Sequence, residues 1–164
     1  MAAWRGVIRT LTCIMLIYPF AIHAAEIEGR VIGVTDGDTI TLLDQNRQQH
    51  KIRLSGIDAP ESSQAFGQAS KRNLSKMVFD HEVVADCRKT DKYRRQVCKV
   101  IVGGVDANIE QIKSGLAWWY RKYAKEQPPS ERNDYEAAEE AAKSGGKGLW
   151  SDTNPIPPWD WRRR

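Results

Sequence analysis

The chain has 164 residues, about the size of one ordinary domain. Hydrophobic residues make up 41% of the chain and charged residues 28%, which excludes a wholly disordered chain and a membrane protein with several spans. The formal net charge of +4 is weak evidence for an anionic partner such as nucleic acid or a membrane surface.

Residues 1–24 have the three-part pattern of a secretory signal peptide. Arg5 and Arg9 supply positive charge, an apolar stretch covers Thr10–Ile22, and Ala24 marks the expected cleavage position. The apolar stretch is too short to span a bilayer comfortably. We therefore expect export to the periplasm or the medium, with no membrane span after cleavage; an uncleaved anchor is the alternative.

Short β-branched segments open the mature chain and predict strands. They are separated by turn residues and by a polar loop, and they cover Glu26–Val34, Thr39–Leu43 and Lys51–Ile57. The next segment, Ser63–Phe79, has apolar residues at three- and four-residue spacings. This spacing predicts an amphipathic helix.

Two further runs, His81–Asp86 and Gln96–Val102, flank a polar turn and predict a β-hairpin. A turn centred midway between them sets Cys87 directly opposite Cys98, within reach of a disulfide. Such a pair is expected to be oxidised outside the cytosol. Two free buried thiols are the alternative.

The C-terminal part of the chain predicts helices. Apolar residues within Ile109–Leu116 mark a short helix that ends near Gly115. A longer helix is expected to begin at Ser130 as its N-cap and to stop at Gly145.

These elements favour an α+β fold that is mainly β. Five strands with an interposed helix suit a small barrel of the oligonucleotide-binding (OB) kind with about three helices, over residues 25–151. Residues 152–164 form a tail rich in Pro, Trp and Arg, and we expect it to be extended. Its tryptophans are expected to lie on the domain; contact with phosphates is the alternative.

Charged residues gather at one end of the first predicted hairpin. A turn centred within Asn46–Arg47 places Arg53 opposite Ile40 and close to Asp38 and Asp58. Two carboxylates without a nearby His or Cys cluster suit Ca²⁺ or Mg²⁺ rather than zinc. Each residue alone also fits an ordinary turn or a solvated strand.

Three segments together resemble the site motifs of the staphylococcal nuclease family. In order they are Asp36-Gly-Asp-Thr39, Arg53-Leu-Ser-Gly-Ile-Asp-Ala-Pro-Glu61 and Thr90-Asp-Lys-Tyr-Arg-Arg95. Gly115-Leu-Ala117 and Gly148-Leu-Trp150 match the family's helical region, so the resemblance covers about Ile27–Ser151. It implies an OB barrel with helices and Ca²⁺-dependent hydrolysis of DNA and RNA to 3′-phosphate ends.

The resemblance implies a role for each matching acidic position. Asp38 and Asp58 would bind one Ca²⁺ through their carboxylates, and Ala59 would bind it through its backbone carbonyl. Glu61 would orient or deprotonate the attacking water. Asp36 would support the metal ligands without binding the metal itself.

The resemblance also implies how the nucleic acid is held. Arg53 and Arg95 fall at the two arginine positions, where a guanidinium can bond phosphate oxygens in a fork. The nucleotide-contacting positions are Lys92, Tyr93 and Tyr123. Arg94 stands where the family usually has Gly, and a non-Gly residue with positive φ is uncommon, so a different turn with Arg95 displaced stays open.

Three functions compete. The first is an exported Ca²⁺-dependent endonuclease, expected to be a monomer without a stable protein partner. The second is a non-catalytic nucleic-acid-binding OB module, because a fold alone does not show catalysis. The third is an interaction protein tethered by an uncleaved N-terminal segment. A binding module has no need of both aspartates, Glu61 and both arginines together, so the first function is favoured.

Overall fold

We describe residues 25–164 from a computed structural model, and the predicted signal peptide lies outside them. The strands, in chain order, are β1 (Ala25–Val34), β2 (Thr39–Asp44), β3 (Gln49–Leu54), β4 (Ile57–Asp58), β5 (Glu82–Thr90), β6 (Gln96–Val102), β7 (Val105–Asp106) and β8 (Trp118–Trp119). The α-helices are α1 (Gly67–Val78), α2 (Ala107–Lys113), α3 (Pro129–Ser144) and α4 (Pro158–Trp161), and short 3-10 helices cover Arg121–Glu126 and Gly148–Ser151. No helix in this part of the chain is long and apolar enough to cross a membrane.

Five of the strands close into a barrel. The order β3-β2-β1-β5-β6 runs through antiparallel neighbours, and a parallel pairing of β3 with β6 joins the two ends. Closure pairs strand edges that would otherwise be open to other chains. The predicted fold class, a mainly β five-stranded barrel with about three principal helices, is confirmed.

The hydrophobic core lies inside the barrel and extends under α1. Alternate residues of β2 and β3 point inward, and Ile40, Leu42, Ile52 and Leu54 are at most 1% exposed. Leu74 of α1 belongs to the same cluster. Burying one such side chain contributes about 1.5–3 kcal/mol to stability, so this cluster holds the barrel and α1 together.

The register of the β2–β3 hairpin differs by one residue from the predicted register. Arg53 pairs with Thr39, and Ile40 pairs with Ile52 rather than with Arg53. Directly opposite residues of an antiparallel pair share a face, so the predicted register would have turned Arg53 toward the core. The observed register keeps both isoleucines in the core and leaves Arg53 on the other face.

A left-handed residue in the connecting loop explains this register. Arg47 has a φ of 61°, and the loop between the paired strands is centred on Asn46. The Asp44 carboxylate accepts hydrogen bonds from the backbone N–H groups of Asn46 (2.9 Å) and Gln48 (2.8 Å). A tight turn followed by a left-handed residue gives a loop that is centred on one residue, here Asn46. The predicted loop was centred between Asn46 and Arg47, which shifts every strand pair by one position.

The predicted strand Lys51–Ile57 is interrupted. β3 ends at Leu54, and Gly56, with a φ of 72°, turns the chain into β4. A Cβ atom at Gly56 would lie 2.4 Å from the side-chain amide of Gln127, so both the backbone angle and the space require glycine.

Helix α1 begins at Gly67, later than the predicted start at Ser63. Phe66 has a φ of 64° and is left-handed, which prevents the helix from continuing backwards. A Cβ atom at Gly67 would lie 1.9 Å from the carbonyl oxygen of Glu61, so the chain returns very close to itself here. This return holds the segment of Glu61 against the start of α1.

The C-terminal predictions are confirmed in part. α2 ends close to Gly115, and α3 stops just before Gly145. α3 begins at Pro129, so Ser130 lies inside the helix instead of capping it, because proline has a φ suited to the first helical position. The expected extended tail is correct only in part: residues 152–157 form no helix, but Pro158–Trp161 form α4, and Trp159 lies on the domain as expected.

The predicted disulfide is present. Cys87 and Cys98 are directly paired across β5 and β6, and their sulfur atoms are bonded at 2.05 Å. Cys98 also pairs with Leu54 of β3, in the parallel pairing that closes the barrel. The disulfide therefore ties together the hairpin that completes the barrel.

We predict that the mature protein carries this bond in solution. Without reductant, its mass should be two hydrogens lower than that of the dithiol form, and alkylation should label neither Cys87 nor Cys98. Replacing both by Ala should lower the free energy of unfolding by about 3 kcal/mol in denaturant titrations, because the cross-link restricts the unfolded chain. Two alkylatable thiols in native exported protein would contradict the assignment.

The loop between β5 and β6 contains an arginine in the left-handed conformation. Arg94 has a φ of 63°, and its N–H donates to the carbonyl of Asp91 at 3.0 Å. The Asp91 carboxylate accepts hydrogen bonds from the backbone N–H groups of Tyr93 and Arg95, both at 2.9 Å. These bonds hold a tight turn without the glycine that such a position favours.

Arg94→Gly should stabilise the protein by up to about 1 kcal/mol, because the left-handed conformation costs a residue with a side chain about 1–2 kcal/mol and glycine returns part of this through its unfolded-state entropy. Thermal and denaturant unfolding measure the change. Arg94→Ala is the matched control, since it removes the same side chain and keeps the Cβ atom. Equal stabilisation by both variants would show that backbone strain is not the cause.

Candidate active site

One cleft collects all of the site residues predicted from the sequence. It has a volume of about 710 Å³ and lies where the ends of β3 and β4, the β5–β6 hairpin and the segment after β8 meet. The predicted residues on its wall are Asp38, Arg53, Asp58, Ala59, Glu61, Lys92, Tyr93, Arg95 and Tyr123. Residues that are far apart in the sequence therefore face one shared space.

The loop between β1 and β2 positions Asp38. The Asp36 carboxylate accepts a hydrogen bond from the backbone N–H of Asp38 at 3.0 Å, which fixes the turn. A Cβ atom at Gly37 would lie 1.8 Å from the hydroxyl oxygen of Ser70, so this loop packs directly on α1. Asp36 therefore fixes the backbone of Asp38 and also lines the cleft.

Arg53 joins the two central aspartates. Its Nη2 atom lies 3.0 Å from Asp38 Oδ2 and 2.9 Å from Asp58 Oδ1, and its Nη1 atom donates to the Leu54 carbonyl at 2.8 Å. Both aspartates are almost completely buried, and the Arg53 side chain is 12% exposed. A buried charge is tolerated only when it is paired and hydrogen-bonded, and Arg53 meets this need for both carboxylates.

The Asp38 carboxylate also accepts hydrogen bonds from two nearby groups. The backbone N–H of Ala59 donates to Asp38 Oδ2 at 2.7 Å, and the Thr39 hydroxyl donates to Oδ1 at 3.1 Å. Burial raises the pKa of Asp38 to about 7, against the opposing effect of the Arg53 charge. The residues around Asp38 thus hold a carboxylate in a position that water does not stabilise.

The acidic pair can be tested as a site for a divalent cation. The oxygens Asp38 Oδ2 and Asp58 Oδ1 contact the same Arg53 nitrogen, so they are no further apart than two hydrogen-bond lengths. Two ligands of one Ca²⁺ at about 2.3–2.6 Å each lie at most about 5.2 Å apart, close to that upper limit, and the oxygen chemistry suits a hard cation. Within residues 25–164 no group of three or more His, Cys, Asp and Glu side chains is arranged for a metal, so any ion would need further oxygens, such as the Ala59 carbonyl or water.

Arg95 lies on the same cleft and is held by Asp91. Its Nε and Nη2 atoms both lie 2.8 Å from Asp91 Oδ2, and its Nη1 atom is 3.5 Å from the Thr39 hydroxyl. Burial by itself would raise the pKa of Asp91, but hydrogen bonds from the backbone and side chain of Arg95 outweigh it and lower that pKa. The left-handed Arg94 therefore does not remove Arg95 from the cleft. Asp91 was within the third motif, but its supporting role was not predicted.

The rim of the cleft carries aromatic rings and cations. Tyr93 is 66% exposed, and the Lys92 ammonium lies 4.9 Å from its ring centre. Tyr123 is 39% exposed, and the Lys89 ammonium lies 4.6 Å from its ring centre. Exposed rings beside cations are typical of surfaces that stack bases and bind phosphates.

Among the cleft residues that the sequence analysis missed, two lie beside the acidic pair. Arg162, from the end of α4, contacts Asp58 Oδ2 and Glu61 Oε1, both at 2.6 Å. Tyr120 lines the same wall, and burial together with the nearby Asp58 charge raises its pKa. The basic tail was visible in the sequence, but no local pattern connected it to the acidic pair.

The sequence is similar to those of several known proteins. Residues 51–152 match the family described as staphylococcal nuclease homologue. The chain is 42% identical over 135 residues to a Haemophilus influenzae protein named uncharacterized endonuclease, covering 82% of this chain and 72% of that protein. It is 37% identical over 172 residues to a protein named micrococcal nuclease from Shigella flexneri, covering 99% of this chain and 94% of that protein. With these matches and the barrel described above, the chain belongs to the staphylococcal nuclease family.

Proposed function

We propose that the protein is an exported, Ca²⁺-dependent endonuclease that hydrolyses phosphodiester bonds of DNA, RNA or both and leaves 3′-phosphate ends. Nuclease activity is supported by the family and by the endonuclease and nuclease names of its relatives. The observation that carries the proposal is the buried pair Asp38 and Asp58 around Arg53, in one cleft with Glu61 and Arg95. A surface that only bound nucleic acid would gain nothing from buried carboxylates, which repel phosphate.

The acidic pair would hold the metal. Asp38 and Asp58 would bind Ca²⁺ through carboxylate oxygens and Ala59 through its carbonyl. When bound, such an ion acts as a Lewis acid that polarises a phosphoryl oxygen. The close packing of Gly37 on Ser70 and the left-handed turn at Gly56 restrict the backbone beside the two aspartates.

Glu61 is the proposed base. Its side chain is 37% exposed at the mouth of the cleft, and its backbone N–H donates to the Gln64 side chain at 3.2 Å. A carboxylate placed there can accept a proton from the attacking water, an effect worth typically about 10²–10⁴-fold in rate. Its partial exposure is consistent with water reaching it.

The arginines would stabilise the charge that develops on phosphate. Arg53 and Arg95 approach the cleft from β3 and from the β5–β6 hairpin, and each is anchored by a carboxylate. Guanidinium groups stay charged at any working pH, so they bind phosphate oxygens and do not deliver the proton to the leaving oxygen. Removing one preorganised donor of this kind costs about 2.7–4 kcal/mol of transition-state stabilisation.

Export is proposed from two features. The pattern of residues 1–24 is that of a signal peptide, and Cys87 is bonded to Cys98. Disulfides persist in oxidising compartments and are rare in the cytosol, so the bond favours the periplasm or the medium.

We predict that activity requires Ca²⁺ and that Mg²⁺ replaces it poorly. Two carboxylates and a carbonyl make an irregular oxygen shell, which Ca²⁺ accepts, whereas Mg²⁺ demands a near-ideal octahedron. Digestion of plasmid DNA and of RNA with Ca²⁺, with Mg²⁺ and with chelator measures this, and end-labelling of the products checks for 3′-phosphates. Full activity in chelator, or equal rates with both metals, would refute the metal assignment.

We predict that Glu61→Gln separates catalysis from binding. The substitution keeps the size of the side chain and removes its basicity, so kcat should fall by about 10²-fold or more while affinity for nucleic acid stays nearly unchanged. Single-turnover cleavage and binding at one fixed salt concentration measure the two effects.

Lys92→Ala is the matched control for this comparison. It removes a cation at the rim, so it should weaken binding and reduce the salt dependence by about one phosphate contact, with little effect on single-turnover cleavage of bound substrate. A Glu61→Gln variant that cleaves like the parent would show that Glu61 does not activate water. A parent that binds but never cleaves would establish the binding-module alternative.

A further inference from the structure

The tail places a guanidinium on the acidic residues of the cleft. Arg162 Nη2 lies 2.6 Å from Asp58 Oδ2, and Arg162 Nη1 lies 2.6 Å from Glu61 Oε1 and 3.3 Å from Asp58 Oδ1. One arginine thus spans the proposed metal ligand and the proposed base. Hydrogen bonds to Asp58 and Glu61 raise the pKa of Arg162 even though its partial burial acts in the opposite direction.

Aromatic packing holds the tail in this position. The ring of Trp159 is stacked on that of Tyr120, with centres 5.3 Å apart and planes 4° apart, and it meets the edge of Trp118 at 5.6 Å. Pro158 at the start of α4 is buried, and the side chain of Gln64 donates to the Ile156 carbonyl. The tail is therefore packed onto the domain over several residues, and this packing places Arg162 beside the cleft acids.

The contacts of Asp58 show how the position of Arg162 would affect the binding of a metal ion. Its Oδ1 atom contacts Arg53, its Oδ2 atom contacts Arg162, and its side chain is 1% exposed, so each of its oxygens faces a guanidinium. A cation that binds Asp58 must displace or weaken one of these pairs. Arg53 is 12% exposed and also bound to Asp38, whereas Arg162 is 42% exposed and comes from a short terminal helix. Of the two arginines, Arg162 can therefore leave Asp58 at the lower cost in free energy.

We propose that Arg162 is an internal counter-cation that occupies the acidic pocket until a divalent cation replaces it. The Arg162 guanidinium and the metal compete for Asp58, so the tail sets the metal affinity of the enzyme. Metal entry then frees Arg162 from Asp58 and loosens the tail that borders the cleft. This inference rests on the proposed function, because it requires Asp58 to be a metal ligand.

Arg162→Gln in the full mature protein tests the competition. The variant removes the competing charge and leaves Asp58 and Glu61 in place, so the Kd for Ca²⁺ from isothermal titration calorimetry should fall by about tenfold, which corresponds to about 1.4 kcal/mol. Trp159→Ala should lower the Kd in the same direction, because it removes the stacking that seats the tail while keeping Arg162. At one fixed Ca²⁺ concentration, the rise in melting temperature should be larger in both variants than in the parent, since a ligand with a lower Kd stabilises the folded state more.

Arg163→Gln is the matched control. Arg163 is the next residue, its side chain is 72% exposed, and its guanidinium pairs with Asp160, so the variant loses the same charge without touching the cleft acids. Its Kd for Ca²⁺ should equal that of the parent. An unchanged Kd for Ca²⁺ in Arg162→Gln would overturn the proposal that Arg162 competes with the metal, even if the parent is a Ca²⁺-dependent nuclease. An equal fall of the Kd in Arg163→Gln would overturn it as well. A parent that neither binds Ca²⁺ nor cleaves with it would overturn the proposed function as well.

Discussion

Two buried carboxylates, Asp38 and Asp58, approach each other across the guanidinium of Arg53. Carboxylates removed from water lose hydration and repel one another, so this arrangement is stable only with a cation and hydrogen bonds around it. Arg53 belongs to β3 and pairs with Val97 of β6 at the point where the barrel closes. Barrel closure and charge compensation at the site therefore both involve Arg53.

The two walls of the cleft have different supports. The β5–β6 wall is tied by the disulfide between Cys87 and Cys98, and the turn around Asp91 holds Arg95 on it. The opposite wall follows β8, where the buried Glu139 accepts a hydrogen bond from the backbone N–H of Trp119 at 3.0 Å. Rigid supports of this kind keep catalytic groups in position without help from the substrate. The tail adds a third, less firmly held border.

The sequence by itself indicated the strands of the barrel, a pairing of Cys87 with Cys98 and nine of the residues on the cleft. Strand alternation and the spacing of motif residues are properties of short segments, so they are visible without coordinates. The β2–β3 register and the start of α1 were missed because each depends on one left-handed residue. Arg47 shifts the β2–β3 register by one position, and Phe66 delays the start of α1. No apolar pattern identifies such residues, because an arginine or a phenylalanine adopts this conformation only where the surrounding structure requires it.

Only the tertiary structure decided that the tail reaches the acidic pair. Arg162 and Asp58 are separated by 104 positions in the chain, and local propensity carries no information about a contact across that distance. The contact depends on a proline-led helical turn and on the stacking of Trp159 against Tyr120, which direct the tail back over the cleft. The sequence showed that the tail is basic and aromatic, but the direction in which it folds is decided by packing against surfaces that exist only once the barrel has closed.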